Sequence, residues 1–298
     1  MNVLNFYVKL YGSLHNRKWI RYRAFNPLRS IVRKLANWHI PRYLSQHISE
    51  RKGAVVKDLI VSFTSFPVRI DKVWMVVECL KRQTVLPEKM ILWLSKEQFP
   101  DVTSIPASLR EREGDMLEIR MVEGDIRSHK KYHYVSKEYP DSLVFLIDDD
   151  IYYPTDILER TMTVHKEHPE AIICNYGYHI GYKENGELMP YNSWPRERSY
   201  STGDDLFFGS GGGTLLRPSW LHEDLTNIEL ALKLTPIADD IWLNAMVSMA
   251  GREKVMLPNG QVLPIAIKGN VKLESQNRGQ NRNDEQINSI MAHYKIES

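Results

Sequence analysis

The sequence predicts an α/β protein with a mostly parallel central sheet flanked by helices, preceded by a basic helical arm. Three features carry that reading. Short apolar runs alternate with segments of helical periodicity. The runs are nearly continuous in Val, Ile, Leu and Phe, as expected of strands covered on both faces. The strongest of them runs straight into acidic residues, the place where open α/β sheets bind ligands.

Taken in order, residues 1–52 read as two or three short amphipathic helices. Leu28, Ile31 and Leu35 fall at helical spacing opposite Arg29, Arg33 and Lys34, with Trp19, Tyr22, Phe25, Trp38 and Tyr43 interleaved. From Lys57 the texture changes. Asp58–Thr64 reads as a first buried strand, Asp71–Thr84 as a helix with Val73, Trp74, Val77 and Leu80 on one stripe, and Met90–Ser95 as a second strand. A proline-punctuated stretch holds a short helix near Ala107–Arg112. Leu117–Val122 is a third strand, His129–Tyr139 a helix, and Leu143–Ile147 a fourth strand. Pro154 suits the first turn of a helix reaching His168, and Ala171–Asn175 is a fifth strand. Beyond residue 176 the pattern loosens into aromatic, turn-rich chain. Ala238–Ala250 is again helical, followed by strand candidates Val255–Leu257 and Val262–Ile267, a polar stretch over Ser275–Asp284 and a last short helix. The expected divisions are a basic amphipathic segment over 1–55, a catalytic body over 56–270 and a tail over 271–298.

The chain has 298 residues with 43% hydrophobic and 26% charged side chains, which excludes wholesale disorder. No apolar run approaches the 18 or so residues of a membrane span, and the charges at the start follow the apolar residues, unlike a secretory signal. Two cysteines, Cys79 and Cys174, without C-x-x-C, exclude a zinc knuckle and suit a reducing compartment; both read as small buried hydrophobes. The net charge of +2 hides an asymmetry. Residues 1–52 hold eleven Lys/Arg against Glu50 alone, net +10, while the remainder holds 28 basic and 36 acidic residues, net −8. A basic, aromatic segment on an acidic body points to an anionic surface, membrane before nucleic acid, or else to an N-terminal cap packed on the body with a solvated basic face.

The sharpest chemical signal is Asp148-Asp149-Asp150 at the exit of the fourth strand. If the strand pleat continues, Asp148 and Asp150 share a face and Asp149 opposes them. Two carboxylates ~5 Å apart at an effective dielectric of ~20 repel by roughly 3 kcal/mol, which a cation relieves. Carboxylate oxygens suit Mg²⁺ or Mn²⁺, ions usually shared with substrate phosphates; the alternative is a solvated acidic turn or helix N-cap cluster leading into Pro154. A second pair, Asp239-Asp240, opens a helix. It reads either as a cap and dipole partner or as a general base for a hydroxyl nucleophile. Gly211-Gly212-Gly213 lets backbone approach a ligand closely, or is a plain turn. Arg69, Lys130 and Lys131 are placed to neutralise a diphosphate, or each lysine simply lies on a solvated helix face. There is no Walker-type loop, no dinucleotide glycine fingerprint and no G-x-S-x-G.

Together Val61–Arg69, Leu80–Thr84, Ile91–Ser95, Lys130-Lys131, Asp148–Asp150, Gly211–Gly213 and Ala238–Trp242 resemble bacterial GT-A-fold glycosyltransferases of the surface-polysaccharide type, related in pattern to family 2; the resemblance covers about residues 57–250. It implies the nucleotide-diphospho-sugar transferase fold, a nucleotide-sugar donor, a UDP-sugar above others, and Mn²⁺ or Mg²⁺ at Asp150 and Asp148. It implies donor contacts from Thr64, Ser65, Arg69, Asp125, Lys130, Lys131, Asp148 and Asp149, and an acceptor loop at Gly211, Gly212 and Gly213. Asp240 matches the inverting base, with Asp239 where relatives carry Glu, which leaves open which of the two acts. His293 is the one histidine beyond residue 222 that could complete a metal site. The implied reaction is sugar transfer to a hydroxyl of a glycan or lipid-linked acceptor. It is expected in the cytoplasm, with residues 1–52 against the anionic inner face of the membrane and no nucleic acid as partner. The alternatives are a nucleotidyltransferase acting on a sugar phosphate, which usually carries a glycine-rich signature near strand one that is absent here, and a non-enzymatic adaptor using the basic segment. A haloacid-dehalogenase-type phosphotransferase would want its D-x-D on the first strand.

Overall fold

The computed structural model describes residues 2–14, 26–46, 53–114, 116–195, 201–257, 265–269 and 282–296. It has the predicted class, a mostly parallel sheet with helices packed on it. Among the described residues the central sheet has the order β3-β2-β1-β4-β10-β6-β11-β8. The strands are β1 (Ala54–Thr64), β2 (Val85–Ser95), β3 (Leu117–Val122), β4 (Leu143–Leu146), β6 (Ile172–Cys174), β8 (Ser201–Thr202), β10 (Thr214–Leu216) and β11 (Lys254–Met256). β1, β2, β3 and β4 run parallel, whereas β10 runs antiparallel between β4 and β6, and β8 antiparallel to β11. The apolar runs became strands because both of their faces are buried: Leu59, Val61, Phe63, Val144, Phe145 and Leu146 are all inaccessible. Burying each such side chain stabilises the fold by roughly 1.5–3 kcal/mol.

Helices α3 (Val73–Lys81), α4 (Ala107–Arg110), α5 (Lys130–Glu138), α6 (Ile157–Glu167), α8 (Asp239–Met249) and α9 (Arg282–Tyr294) follow the expected periodicities within a few residues, and α7 (Ile228–Leu234) is a helix the sequence reading did not anticipate. α6 starts three residues after Pro154. The expected strand over 262–267 and the polar stretch 275–284 lie partly outside the described residues; what is seen is β12 (Ile265–Ala266), paired antiparallel with β5 (Ile151–Tyr152). The looser middle of the chain contributes an antiparallel pair, β7 (Gly177–His179) and β9 (Leu206–Phe208).

The described parts of the basic segment are packed on the body. α1 (Val3–Ser13) and α2 (Asn26–Gln46) bury Leu4, Tyr7, Val8, Val32, Ala36, Ile40 and Leu44 in the same core as β1 and α3. The Thr155 amide donates to Asn5 Oδ1 at 2.8 Å, fixing α1 beside the start of α6. Trp19, Tyr22 and Phe25 lie outside the described residues. Cys79 and Cys174 are free and buried, and burial pushes each thiol up to about 12, in keeping with inert core positions.

Candidate active site

The antiparallel β10 builds the site. Thr214 pairs with Leu146, so the chain entering β10 meets the chain leaving β4. The entering chain is the glycine turn and the leaving chain is the acidic run. The fit is tight: a β-carbon on Gly211 would collide with the Asp148 carboxylate, and one on Gly212 with Tyr176. Gly213 has φ +98°, a backbone region that only glycine enters readily, and a β-carbon there would stand 2.6 Å from Phe145 Cζ. The segment is therefore a packed turn, not a flexible one.

The acidic run does not continue the pleat. β4 ends at Leu146 and Asp149-Asp150 sit in a turn, so the expectation that Asp149 opposes Asp150 fails. Arg69 Nη1 reaches both, Asp149 Oδ1 at 2.8 Å and Asp150 Oδ2 at 2.9 Å. The Ser65 hydroxyl donates to the second oxygen of Asp149. Asp149 is thereby buried and held from both sides. Burial pushes its carboxyl up, and Arg69 and Ser65 pull against that rise. Asp150 is more open, its side chain 30% exposed. Burial and then the neighbouring Asp148 push its carboxyl up to about 7.

On the other side, Lys131 from the first turn of α5 lies between two acids. Its buried Nζ is 2.8 Å from Asp148 Oδ1 and 2.8 Å from Asp239 Oδ2. Burial disfavours the ammonium, but Asp148, Asp239 and Asp240 outweigh it and hold the lysine charged. Asp239 is buried too. Desolvation would raise it, yet Lys131 keeps it below the ordinary carboxylate range. Asp240 accepts from the Ser210 amide at 2.8 Å and from the Ser210 hydroxyl through Oδ1. Burial and the adjacent Asp239 push it up to about 7. Ser210 Oγ also lies 3.0 Å from Asp239 Oδ2, so its single O–H is shared between the two carboxylates, and one serine at the head of the glycine turn meets both acids of the α8 terminus.

The remaining expected residues sit near this centre with defined partners. The Thr64 hydroxyl donates to the Trp93 carbonyl at 2.7 Å. Lys130 is buried and paired with Asp125, which also accepts from Gln98 Nε2 at 2.7 Å and from the Arg127 amide at 3.0 Å. Burial works to raise Asp125, but Lys130 and Arg127 bring it below its usual value. Neither lysine is a solvated helix face. His293 is exposed on α9, electrostatically beside Asp224 rather than the acidic run.

Three contributors carried no sequence signal. Tyr153, fully buried, accepts from the Asp148 amide at 2.9 Å and donates to the Gly211 carbonyl, tying the two loops together. Ser210 is the clasp on Asp239 and Asp240. His129 is buried between Thr235 and Tyr132: its Nε2–H donates to the Thr235 carbonyl at 2.8 Å, so Nδ1 accepts from the Tyr132 hydroxyl at 2.8 Å. That bond anchors the approach to α8 on the start of α5.

The donor set suits a hard divalent cation shared with a substrate. Asp148 and Asp150 are partly exposed carboxylates, and Asp148 lies close enough to push Asp150 up, a repulsion that a cation relieves. Among the described residues no group of three His, Cys, Asp or Glu forms a ready cage. Mg²⁺ or Mn²⁺ would need only one or two of these carboxylates, taking water and phosphate oxygens for the rest of the shell.

No protein-family model matches the chain, and no curated protein matches it. Among solved structures it is similar to apo UDP-glucose pyrophosphorylase, at 10% identity over 82% of this chain and 98% of that one, with a TM-score of 0.40. It is also similar to 4-diphosphocytidyl-2C-methyl-D-erythritol synthase from Anaerococcus prevotii DSM 20548, at 13% identity over 83% and 100% of the two chains, TM-score 0.39. A third similar structure is HddC from Yersinia pseudotuberculosis, at 14% identity over 56% and 78%, TM-score 0.33.

Proposed function

We propose that the protein is a metal-dependent transferase acting on a nucleotide-linked sugar, and more finely a glycosyltransferase that moves the sugar to a hydroxyl of a glycan or lipid-linked acceptor. The observation that carries this reading is the Lys131 bridge. It joins an acidic corner suited to a cation and diphosphate to a helix start suited to base catalysis, bringing both within one site.

Asp148 and Asp150 would hold Mn²⁺ or Mg²⁺. When bound, that ion supplies positive charge against the charge developing on the leaving nucleoside diphosphate. Arg69 orients Asp149 and Asp150 and lends its own charge to the same corner. Asp240 is the base. Asp239 is locked by Lys131 and Ser210, whereas Asp240, with its carboxyl near 7, can accept a proton at neutral pH. The acceptor oxygen attacks the anomeric carbon, the bond from that carbon to the diphosphate oxygen breaks, and the hydroxyl proton passes to Asp240. Attack opposite the leaving group inverts the anomeric centre.

A panel of nucleotide sugars with Mn²⁺ or Mg²⁺ tests this. Metal-dependent release of nucleoside diphosphate, lost in Asp150→Ala, supports glycosyl transfer. Pyrophosphate-dependent formation of nucleoside triphosphate identifies nucleotidyl transfer to a sugar phosphate instead. The chain between Thr64 and Arg69 has no glycine to wrap a triphosphate, which favours the first outcome.

A further inference from the structure

Helix α2 presents two apolar faces, and only one of them meets the protein. Val32, Ala36, Ile40 and Leu44 are buried on the body. Leu28, Ile31 and Leu35 are each about half exposed and Trp38 is 57% exposed. Their spacing of three and four residues lines them into one stripe on the outward side. Arg33, Lys34 and Arg42 are exposed on the same helix, with the Arg42 guanidinium 4.5 Å from the Trp38 ring centroid. From Asn26 to Gln46 there is no Asp or Glu. An isolated exposed leucine needs no explanation, but a stripe of Leu, Ile, Leu and Trp framed by cations does. The charge around it selects the occupant. This helix sits within a segment of net +10 on a body of net −8, so its complement is an extended anionic surface with an apolar interior. Among the described residues no helix is long and apolar enough to cross a membrane, which leaves a helix lying in the interface plane.

We infer that the outward stripe of α2, Leu28, Ile31, Leu35 and Trp38, with Arg42 on the same face and Lys34 at its edge, docks the protein on an anionic lipid bilayer. The apolar side chains enter the headgroup boundary, Trp38 sits at headgroup level, and the cations meet the lipid phosphates. The helix is well placed to pass this contact to the site. Asn37 Nδ2 donates to the Ala266 carbonyl at 3.1 Å and Asn37 Oδ1 accepts from the Lys268 amide at 2.7 Å. Between those two residues, the Ile267 amide donates to the Asp150 carbonyl at 2.7 Å. The docking helix and the acidic corner are therefore fastened to opposite edges of one short strand segment. That a docked molecule meets its acceptor at the membrane rests on the transferase reading; the docking itself does not.

The test is co-sedimentation of the full chain, without nucleotide or metal, with vesicles of phosphatidylcholine alone and of phosphatidylcholine mixed with phosphatidylglycerol. Binding is expected only to the anionic vesicles, weakening as salt shortens the screening length. The exposed-site double variant Ile31→Glu, Trp38→Glu is expected to cut partitioning by roughly tenfold or more with an unchanged melting temperature, and Trp38→Phe to remove part of the tryptophan quenching by brominated lipid. No binding to anionic vesicles at low salt overturns the inference, as does binding that the double variant leaves intact. Preferential binding of duplex DNA over the vesicles, or a dimer in solution that the double variant dissolves, assigns the stripe to another partner and overturns it equally. Because no nucleotide is present, failure here is distinct from failure of the transferase reading.

Discussion

The exit of β4 and the start of α8 each carry an adjacent pair of acids, Asp149-Asp150 and Asp239-Asp240, and each treats its two members differently. At the β4 exit, Asp149 is held by Arg69 and Ser65 while Asp150 stays partly open with its carboxyl near 7. At the α8 start, Asp239 is held by Lys131 and Ser210 while Asp240 has its carboxyl near 7. In both places one acid is spent on geometry and its neighbour is left poised. What differs is the surroundings. Asp150 shares its corner with Asp148 and some solvent, an arrangement that accepts a cation. Asp240 is half-buried, with a serine clasp on one oxygen and Asp239 beside it, an arrangement that accepts a proton. Similar local chemistry thus yields two roles, and Lys131 spans from one region to the other.

The largest effect should come from breaking that span. Lys131→Met leaves Asp148 and Asp239 facing each other without a cation. Losing one partner of a buried ion pair costs about 3–5 kcal/mol, so urea denaturation should show a much lower midpoint and transfer should vanish. A variant as stable as the wild type would mean that the two acid pairs are independent.

Asp240→Asn separates activity from stability. The rate of transfer should fall by about 10²–10⁴-fold while the fold survives, because Asn still accepts from Ser210. In the wild type the rate should rise with pH through about 7, since only the deprotonated carboxylate is a base. The stability sign is the reverse. A carboxyl whose folded value lies above its unfolded value favours the folded state fully at low pH, and that contribution is lost as pH climbs from about 4 to about 7. Thermal melts at several pH values should therefore show Asp240→Asn gaining on the wild type across that interval and keeping the gain above it. A pH-independent difference would remove Asp240 from the poised role.

Much of this was legible before any coordinates. Leu143–Ile147 announced a buried strand because nearly every residue of it is apolar, and three acids at its end could hardly be ornament. What the sequence hid was adjacency. Strand β10 is three residues long, Thr214–Leu216, too short to show periodicity, and it runs antiparallel, so nothing local reveals that the glycine turn lands on Asp148. The pleat argument for Asp148 and Asp150 failed because the strand stops at Leu146 and the chain turns. Arg69, Lys130 and Lys131 were read as free cations for a diphosphate; their carboxylate partners lie 5 to more than 100 residues away in sequence, or in a loop whose course depends on the whole sheet. Tyr153 and Ser210 bear common side chains whose role comes only from where β10 and α8 place them.

Two smaller effects sharpen the comparison. Gly211→Ala puts a methyl group into the Asp148 carboxylate; overpacking of this kind costs about 1–3 kcal/mol. It should weaken metal-dependent nucleotide binding in calorimetry more than it lowers the melting temperature. Tyr153→Phe removes the hydroxyl joining the Asp148 amide to the Gly211 carbonyl, at about 0.5–1.5 kcal/mol, and should raise the metal concentration needed for half-maximal activity while leaving the pH profile set by Asp240 in place.

The most direct measurement is a calorimetric titration of UDP into the protein with and without Mn²⁺, repeated on Asp150→Ala. The acidic-corner account predicts binding that requires Mn²⁺, is abolished by EDTA and is lost in Asp150→Ala while the variant melts as a folded protein. Binding of equal strength without metal, or binding that Asp150→Ala leaves untouched, would contradict it.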